Sequence, residues 1–153
     1  MASTPAAVIF GIGGKQLTLD EIRFFSDVNP YGFILFARNC ESPQQVRTLV
    51  AELKQVSGRD RLPILIDQEG GRVSRLKPPH WPSFPPASVF ADMAKRHARD
   101  AQRATYLNAR LIAHELHALG ITVDCAPLAD LPVDGAHDII GDRAFGHDAQ
   151  QVI

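Results

Sequence analysis

The sequence predicts an α/β fold in which parallel strands alternate with helices. Short apolar runs of strand length recur along the chain, and the longer stretches between them repeat apolar residues every three or four positions. Glycine, proline or asparagine separates most of these runs from their neighbours. Alternation of this kind joins parallel strands by right-handed crossovers. Four such strands with all helices on one side would form about the first half of a TIM-type (β/α)8 barrel.

The first strand is predicted at 6–10, an apolar run that ends at Gly11-Ile12-Gly13-Gly14. These glycines have neither GxGxxG nor Walker spacing, so we expect a turn and not a phosphate-binding loop. The first helix begins after Thr18, which has the spacing of a capping box with Glu21. Asn29-Pro30 ends this helix and starts a turn.

The second strand is predicted at 32–36, where the continuous apolar run suits burial on both faces. Arg38-Asn39 follows it, and the sequence leaves open whether these side chains bond the loop or contact a ligand. Ser42-Pro43 caps and starts the second helix, which Gly58 ends. The apolar residues of this helix share one face and are Val46, Leu49, Val50, Leu53 and Val56.

The later elements follow a third strand at 62–66. The proline-dense segment 78–86 is predicted to be an ordered loop, with Trp81 packed against the protein rather than stacked on a ligand. A helix at 98–119 and a fourth strand at 121–126 come next. The residues expected on the apolar side of this helix are Ala101, Ala104, Leu107, Leu111, Ile112, Glu115 or Leu116, and Leu119.

The end of the chain holds a loop and the start of one more helix. The loop covers 128–146, and Asp148 with Gln151 has capping-box spacing before Val152-Ile153. A helix that is capped and then stops after one turn leads us to expect that the chain is the N-terminal portion of a longer barrel domain. We expect residues 1–153 to form a single domain that exposes an apolar inner face. A second copy of the chain or a missing C-terminal half would cover that face.

Composition restricts the class of partner. The formal net charge is −1, which provides no basic field for nucleic acid or an anionic membrane. Cys40 and Cys125 lie far apart and belong to no CxxC or Cys/His cluster, which argues against a disulfide scaffold and a structural zinc site. Residues 1–5 show no signal-peptide pattern, and no apolar run reaches membrane-spanning length. We therefore expect a cytoplasmic protein with reduced thiols and no cofactor.

The run from Leu62 to Arg75 contains the closest grouping in the chain of charged residues and glycines that suit ligand binding. Its apolar strand ends in Asp67, which can accept hydrogen bonds from hydroxyl groups, and Gly70-Gly71 lets the backbone turn sharply. Arg72 and Arg75 add guanidinium donors in a fixed fork. Ligands of α/β proteins sit at the C-terminal ends of the strands, so we expect a site for a polyhydroxylated ligand such as a sugar.

Three stretches resemble one known family in order and at plausible spacing. The sequence 66–75, Ile-Asp-Gln-Glu-Gly-Gly-Arg-Val-Ser-Arg, resembles the signature of glycoside hydrolase family 3, most of all its bacterial β-N-acetylhexosaminidases. Gly32–Asn39 is similar to the second strand and its turn in that family. Ala126–Asp130 and Ile140–Gly146 are similar to the fourth strand and its loop. Members of the family often carry an Asp just after the first strand, where Gly11 stands here.

The resemblance implies a (β/α)8 barrel and a retaining glycosidase that releases terminal N-acetylglucosamine from muropeptides or chitin-like oligosaccharides. By motif, Asp67, Arg75 and Arg143 would bind the sugar. Glu69, Arg72 and Asp130 would support them, Glu69 at the glycine turn and Arg72 by orienting a carboxylate. The family takes its nucleophile and its acid/base from later strands, so no catalytic residue is expected in these 153 residues.

Two other functions remain open from the sequence. One is a non-catalytic half-barrel that binds sugar or forms a homodimer. The other is a metal-dependent enzyme that would use Asp130, His137 and Asp142, although their spacing matches no known calcium loop. His114 and His117 are three apart and do not form an HExxH motif, so we expect no metal there either.

Overall fold

The structure is a computed structural model that describes residues 4–152. Residues 1–3 and Ile153 lie outside the described residues. The first belong to the segment examined for a signal peptide, and Ile153 is the last residue of the predicted terminal helix. The described chain forms two compact units. The first holds the residues up to Asp67 together with Leu116–Asp124, and the second holds Gln68–Glu115 and the residues from Cys125 onward.

In chain order the elements are strand β1 (Ala6–Gly11), helix α1 (Leu19–Val28), strand β2 (Pro30–Leu35), helix α2 (Pro43–Ser57), strands β3 (Ile64–Ile66), β4 (Gln68–Gly70) and β5 (Val73–Ser74), helices α3 (Ala87–Ala94) and α4 (Ala98–Leu119), strand β6 (Val123–Asp124) and helix α5 (Ala149–Val152). Two short 3-10 turns lie at Ala37–Asn39 and Gly141–Arg143.

The first unit is a parallel sheet in the strand order β1-β2-β3-β6. Each neighbouring pair of strands is parallel, and α1 and α2 form the crossovers between the first three strands. Phe33, Leu35, Ile64 and Ile66 are fully buried in β2 and β3. The predicted stripe on α2 is confirmed for Val46, Leu49, Val50 and Leu53, which are also buried. Its fifth member, Val56, is only half-buried. The α/β class with strands in sequential order is therefore confirmed.

Both helices of this unit begin and end where the sequence predicted. Thr18 and Glu21 form the expected capping box on α1, which ends at Asn29 with a left-handed backbone. Burial raises the pKa of the Glu21 carboxyl, but hydrogen bonds from the backbone of Thr18 and Gly13 and from the Thr18 hydroxyl outweigh it and lower this pKa below its ordinary value. Ser42 caps α2 with Pro43 in its first turn, and Gly58 ends it at a φ of 63°.

The fourth strand is shorter than predicted. The apolar run suggested 121–126, but β6 pairs with β3 only through Val123 and Asp124. At its start, the Thr122 hydroxyl accepts a hydrogen bond from the Ile64 N–H at 3.0 Å. The Thr122 N–H also donates to the Ile64 carbonyl at 3.0 Å, so a side-chain bond and a backbone bond together join this segment to β3.

The second unit contains two elements that the sequence did not predict. The segment after β3 is a short antiparallel hairpin of β4 and β5. Helix α3 follows the proline-dense loop, in a stretch between the predicted loop at 78–86 and the predicted helix at 98–119, and it buries Ala87, Phe90 and Ala91. Both elements are too short to show a clear repeat of apolar residues. The predicted packing of Trp81 is confirmed, since its side chain is buried.

Helix α4 has the predicted bounds, but its apolar side is narrower than expected. Ala101, Ile112, Leu116 and Leu119 are buried, whereas Leu107 and Leu111 are 45% and 59% exposed. The expected set was too wide because helical spacing identifies apolar positions but not which of them a neighbouring element covers. No helix among residues 4–152 is long and apolar enough to cross a membrane.

Candidate functional site

The first unit places several polar side chains at one edge of the parallel sheet. Asp67 follows β3 directly, Arg38-Asn39 follows β2, and Asp124 ends β6. These strands are parallel and adjacent, with Leu35 opposite Ile66 and Ile66 opposite Asp124. Their C-terminal ends therefore meet at the same edge, which is the edge where α/β proteins bind ligands.

Asn39 bonds the loops at this edge. Its side chain is completely buried. The amide nitrogen donates to the carbonyl oxygens of Ile12 at 3.1 Å and Gly14 at 2.6 Å, and the amide oxygen accepts from the Phe36 N–H at 2.8 Å. Of the two roles that the sequence left open, Asn39 takes loop bonding, because these side-chain hydrogen bonds fix the loops after β1 and β2.

The glycine turn of the second unit has no room for side chains. Gly70 and Gly71 have φ values of 99° and 55°. A Cβ atom on Gly70 would collide with the carbonyl oxygen of Pro85, and one on Gly71 would lie 2.6 Å from the Cβ of Pro86. The Gly71 N–H donates to the Phe84 carbonyl at 2.8 Å. The turn is therefore fixed against the proline-dense loop.

Glu69 and Arg143 form a two-bond ion pair. The Nε of Arg143 donates to Glu69 Oε2 at 2.9 Å, and its Nη2 donates to Oε1 at 2.7 Å. The side chains are 12% and 21% exposed for Glu69 and Arg143 respectively. Because the guanidinium is planar, two parallel bonds fix its orientation as well as its position. Glu69 therefore orients Arg143, a role more specific than the support of the glycine turn that we expected.

Arg72 holds the loop that carries Arg143. Its Nε donates to Asp142 Oδ1 at 2.7 Å, which agrees with the predicted role of orienting a carboxylate. Its Nη2 also lies within hydrogen-bond distance of three successive carbonyl oxygens, at residues 138–140. A Cβ on Gly141 would lie 2.6 Å from the Asp138 carboxylate, so this loop also depends on a glycine.

Gln68 is a residue of this region that we did not single out from the sequence. Its side chain is 2% exposed. The amide oxygen accepts from the N–H groups of Arg75 at 2.8 Å and Leu76 at 3.0 Å, and the amide nitrogen donates to the Leu76 carbonyl at 3.1 Å. The side chain of Gln68 thus fixes the backbone that carries Arg75. Alternation of inward positions through Ile66, Gln68 and Gly70 was the signal that could have identified it.

The remaining predicted residues do not form a cluster. Asp130 is exposed in the loop after β6, as is His137. No group of three or more His, Cys, Asp or Glu side chains within the described part of the chain could hold a metal ion. The metal-dependent alternative built on Asp130, His137 and Asp142 therefore has no geometric support.

Sequence comparison links the chain to glycosidases. Residues 20–153 match a family model described as the glycosyl hydrolase family 3 N terminal domain. The chain is 35% identical over 144 residues to a β-hexosaminidase of Methylococcus capsulatus, covering 94% of this chain and 41% of that protein. It is also 35% identical over 149 residues to a β-hexosaminidase of Methylobacillus flagellatus, covering 97% of this chain and 42% of that protein. The chain thus spans less than half the length of these relatives.

Solved structures agree with this match. NagZ from Neisseria gonorrhoeae, in complex with N-trifluoroacetyl-D-glucosamine, superposes with a TM-score of 0.88 at 33% identity, over 97% of this chain and 43% of that one. A family 3 β-N-acetylglucosaminidase from Paenibacillus gives a TM-score of 0.75 at 32% identity, over 94% and 27% of the two chains. The predicted fold class and the resemblance drawn from the three motifs are both confirmed.

Proposed function

The chain belongs to glycosyl hydrolase family 3, and from this membership we propose that it is the sugar-binding, N-terminal part of a retaining β-N-acetylhexosaminidase. The proposed substrates are peptidoglycan-derived or chitin-like oligosaccharides with a terminal N-acetylglucosamine. The proposed setting is the cytoplasmic recycling of cell-wall fragments. Asp67, Arg75 and Arg143 are the proposed sugar-binding residues, with Glu69, Arg72 and Asp130 in support.

The Glu69–Arg143 pair is the observation that carries this proposal. A guanidinium has five N–H donors, and Glu69 accepts from the edge formed by Nε and Nη2. The other edge, formed by Nη1 and Nη2, then points in one fixed direction. Nη1 donates a long bond to the Ile139 carbonyl at 3.3 Å, which a sugar hydroxyl can replace. An arginine held in this way suits the recognition of a neutral ligand by directed hydrogen bonds.

The mechanism proposed for the whole protein assigns binding, and not bond cleavage, to this chain. Retaining glycosidases need a nucleophile and an acid/base on either side of the scissile bond. In this family both residues follow later strands than the fourth, and the described chain contains four parallel strands in its main sheet. The proposed contribution of residues 1–153 is therefore to hold the N-acetylglucosamine ring by its hydroxyl groups while later residues carry out the chemistry.

A titration of the 153-residue chain with methyl N-acetyl-β-glucosaminide, followed by NMR, tests the binding role. We expect saturable shifts, and we expect Asp67→Asn and Arg143→Lys each to weaken binding by about tenfold, the loss typical of a hydrogen bond to a charged group. Asp60→Asn and Arg99→Lys are matched controls, since both residues are exposed and Asp60 precedes β3 where Asp67 follows it. Equal binding by all four variants would overturn the proposal.

An activity assay tests whether the chain lacks the catalytic residues. The purified chain should release no product from an aryl N-acetyl-β-glucosaminide. Turnover that survives careful removal of contaminating enzymes would show that the catalytic residues lie within the 153 residues.

A second candidate function is a non-catalytic half-barrel that pairs with a copy of itself. The exposed residues Tyr106, Leu107 and Leu111 on α4 favour it. A groove of about 640 Å³ between α3, α4 and α5, lined in part by Phe90 and Phe145, favours it too. Analytical ultracentrifugation distinguishes the two candidates, since a defined dimer that binds the sugar without turnover supports the second.

A further inference from the structure

We propose that an exposed row of side chains on α4 is a docking surface for an acidic, amphipathic helix of a partner protein. The row consists of Arg99, Arg103, Leu107 and Leu111, which follow one another at four-residue spacing, and we call it the α4 ridge. All four residues lie in the second unit. The inference goes beyond the proposed function and does not depend on sugar binding.

The α4 ridge is open to solvent along its length. Residues four apart on a helix lie on the same face one turn apart, so the four side chains form a row about 18 Å long. Its two arginines are exposed, and Leu107 and Leu111 are 45% and 59% exposed. Ala101 and Ile112, which α4 buries, lie on a different face. The ridge is therefore accessible to another molecule.

The positive charge on this part of α4 is not balanced within the chain. Residues 95–114 contain five Lys or Arg residues and one acid, Asp100, a formal charge of +4 in a chain whose net charge is −1. Among residues 4–152 no Asp or Glu forms an ion pair with Arg99, Arg103 or Arg110. A partner with acidic side chains can supply the missing carboxylates, which a guanidinium binds through two parallel hydrogen bonds.

Tyr106, beside the ridge, argues against nucleic acid as the partner. The guanidinium carbons of Arg103 and Arg110 lie 5.7 Å and 6.0 Å from the centre of its ring, and Arg110 also donates to the Tyr106 hydroxyl at 3.3 Å. Single-stranded nucleic acid binds largely by stacking its bases on aromatic rings, and two neighbouring guanidinium groups leave this ring poorly placed to do so. The leucines of the ridge favour a partner that offers apolar side chains as well as charges.

The order of residues along the ridge argues against a membrane and against a second copy of the chain. A helix that binds a membrane surface has its charges and its apolar residues on opposite faces, whereas the ridge has both in one row. Two copies of α4 would place arginine against arginine if they were parallel and arginine against leucine if they were antiparallel. Neither arrangement pairs the charges.

A complementary helix has two acids and two leucines at four-residue spacing. Such a row packs beside the α4 ridge with its carboxylates on the two arginines and its leucines on Leu107 and Leu111. Both directions of the partner helix are compatible with this pairing, provided that the two acids are consecutive members of the row. An alternating order misplaces one acid and one leucine in either direction.

Fluorescence anisotropy with two labelled peptides of equal composition tests the inference. Both are alanine-rich helices. In the matched peptide every fourth residue is in turn Glu, Glu, Leu and Leu, and in the permuted peptide Glu, Leu, Glu and Leu. We expect the 153-residue chain to bind the matched peptide about tenfold more tightly, because the permuted order loses one charge pair and one apolar contact. Added salt should weaken binding of the matched peptide.

Variants locate the contact on the ridge. Arg103→Gln and Leu107→Ser should each weaken binding of the matched peptide about fivefold. The matched controls are Arg47→Gln on α2 and Leu19→Ser on α1, since both side chains are exposed away from α4. Both controls should bind as the unaltered chain does. Far-UV circular dichroism shows that each variant is folded.

Every other outcome overturns the proposal. Equal binding of the two peptides, or binding of neither, would show that the ridge does not recognise this pattern. Unchanged binding by Arg103→Gln and Leu107→Ser would place the peptide elsewhere on the chain. Tighter binding of a single-stranded oligonucleotide or of phosphatidylserine vesicles would assign a different partner. A dimer of the chain that Leu107→Ser disperses would make a second copy the occupant. None of these results alters the test of sugar binding.

Discussion

The two units of this chain differ in the interactions that join distant segments. In the first, backbone ladders join parallel strands, and the Asn39 side chain adds bonds to Ile12 and Gly14. Its helix caps connect residues three positions apart, as in Thr18 with Glu21. In the second, side chains hold loops over long separations. Arg143 bonds Glu69 across 74 positions, and Arg72 bonds Asp142 across 70.

This difference indicates which parts of the chain tolerate change. A regular element distributes its stability over many similar contacts, so that one substitution removes a small share. A loop fixed by a few side chains depends on each of them. Substitutions matched between the two units therefore test this difference.

Alanine at a left-handed glycine should affect the second unit far more. Gly70→Ala adds a collision with the Pro85 carbonyl to the strain of a positive φ, so we expect a loss of about 4 kcal/mol in the free energy of unfolding. Gly58→Ala in the first unit meets no atom within 4 Å and should cost about 1 kcal/mol. Urea unfolding followed by circular dichroism measures both, and the fluorescence of the single tryptophan, Trp81, reports on the second unit. Equal losses of stability in the two variants would contradict the difference between the units.

Each unit also contains one buried amide that bonds backbone groups. Gln68→Met and Asn39→Leu keep similar volume but leave buried N–H or C=O groups without partners, so we expect each to cost about 3 kcal/mol. Hydrogen exchange should speed up at Arg75 and Leu76 in the first variant and at Phe36 in the second. If Asn39→Leu proved neutral, this long-range side chain would add nothing to the stability of the first unit, and the difference between the two units would be larger than we describe.

The two ion pairs of the second unit should differ in how much they contribute to the free energy of unfolding. Arg143→Lys keeps the charge but loses the two-bond fork to Glu69, and we expect it to cost about 2 kcal/mol because the pair is largely buried. Arg72→Lys should cost about 1 kcal/mol, since this pair is 47% and 41% exposed. The shift in urea midpoint, read from Trp81 fluorescence, measures each. A larger loss for Arg72→Lys would show that its carbonyl contacts matter more than its ion pair.

The cap of α1 gives the smallest effect and depends on pH. Glu21→Gln should cost about 0.5 kcal/mol at neutral pH, at the low end of the range for helix capping, because Gln can also complete a capping box. Hydrogen bonds lower the folded-state pKa of Glu21, so its carboxylate stabilises the fold fully above the ordinary value of 4.5 and loses this effect as the pH falls through the lowered pKa. The difference in stability between the two proteins should therefore shrink on acidification below 4.5.

A control for this experiment is Asp20→Asn, because the Asp20 side chain is 95% exposed in the same helical turn. It should show little difference from the unaltered chain at any pH. A stability difference for Glu21→Gln that does not change with pH would indicate that the capping bonds do not depend on the charge.

The sequence predicted the elements with strong local signals. Caps and apolar repeats predicted α1, α2 and the bounds of α4, because the residues that define these elements lie within a few positions of one another. Helix α3 and the β4–β5 hairpin were not predicted, since each is short and depends on a distant segment. The glycine turn of the hairpin packs against the proline-dense loop, and Phe90 of α3 stacks on Phe145. Those contacts join segments that local patterns do not relate.

For the candidate site, too, the sequence predicted what depends on neighbouring residues and missed what depends on distant ones. The residue types of the run after β3 predicted a site around Asp67, Glu69, Arg72 and Arg75, which stays a prediction. The pairing of Glu69 with Arg143 was not predicted, because no local rule relates residues 74 positions apart. Gln68 was not predicted, because the role of an amide between charged residues depends on its burial, which the structure shows.

The leucines exposed on α4 have a practical consequence for purification. Leu107 and Leu111 present aliphatic surface to water in the described chain, and such surface binds to alkyl- or phenyl-substituted resins in high salt. The chain should therefore elute late from a hydrophobic-interaction column, and Leu111→Glu should elute earlier. Laboratories that handle this chain at high concentration would benefit from making that substitution first.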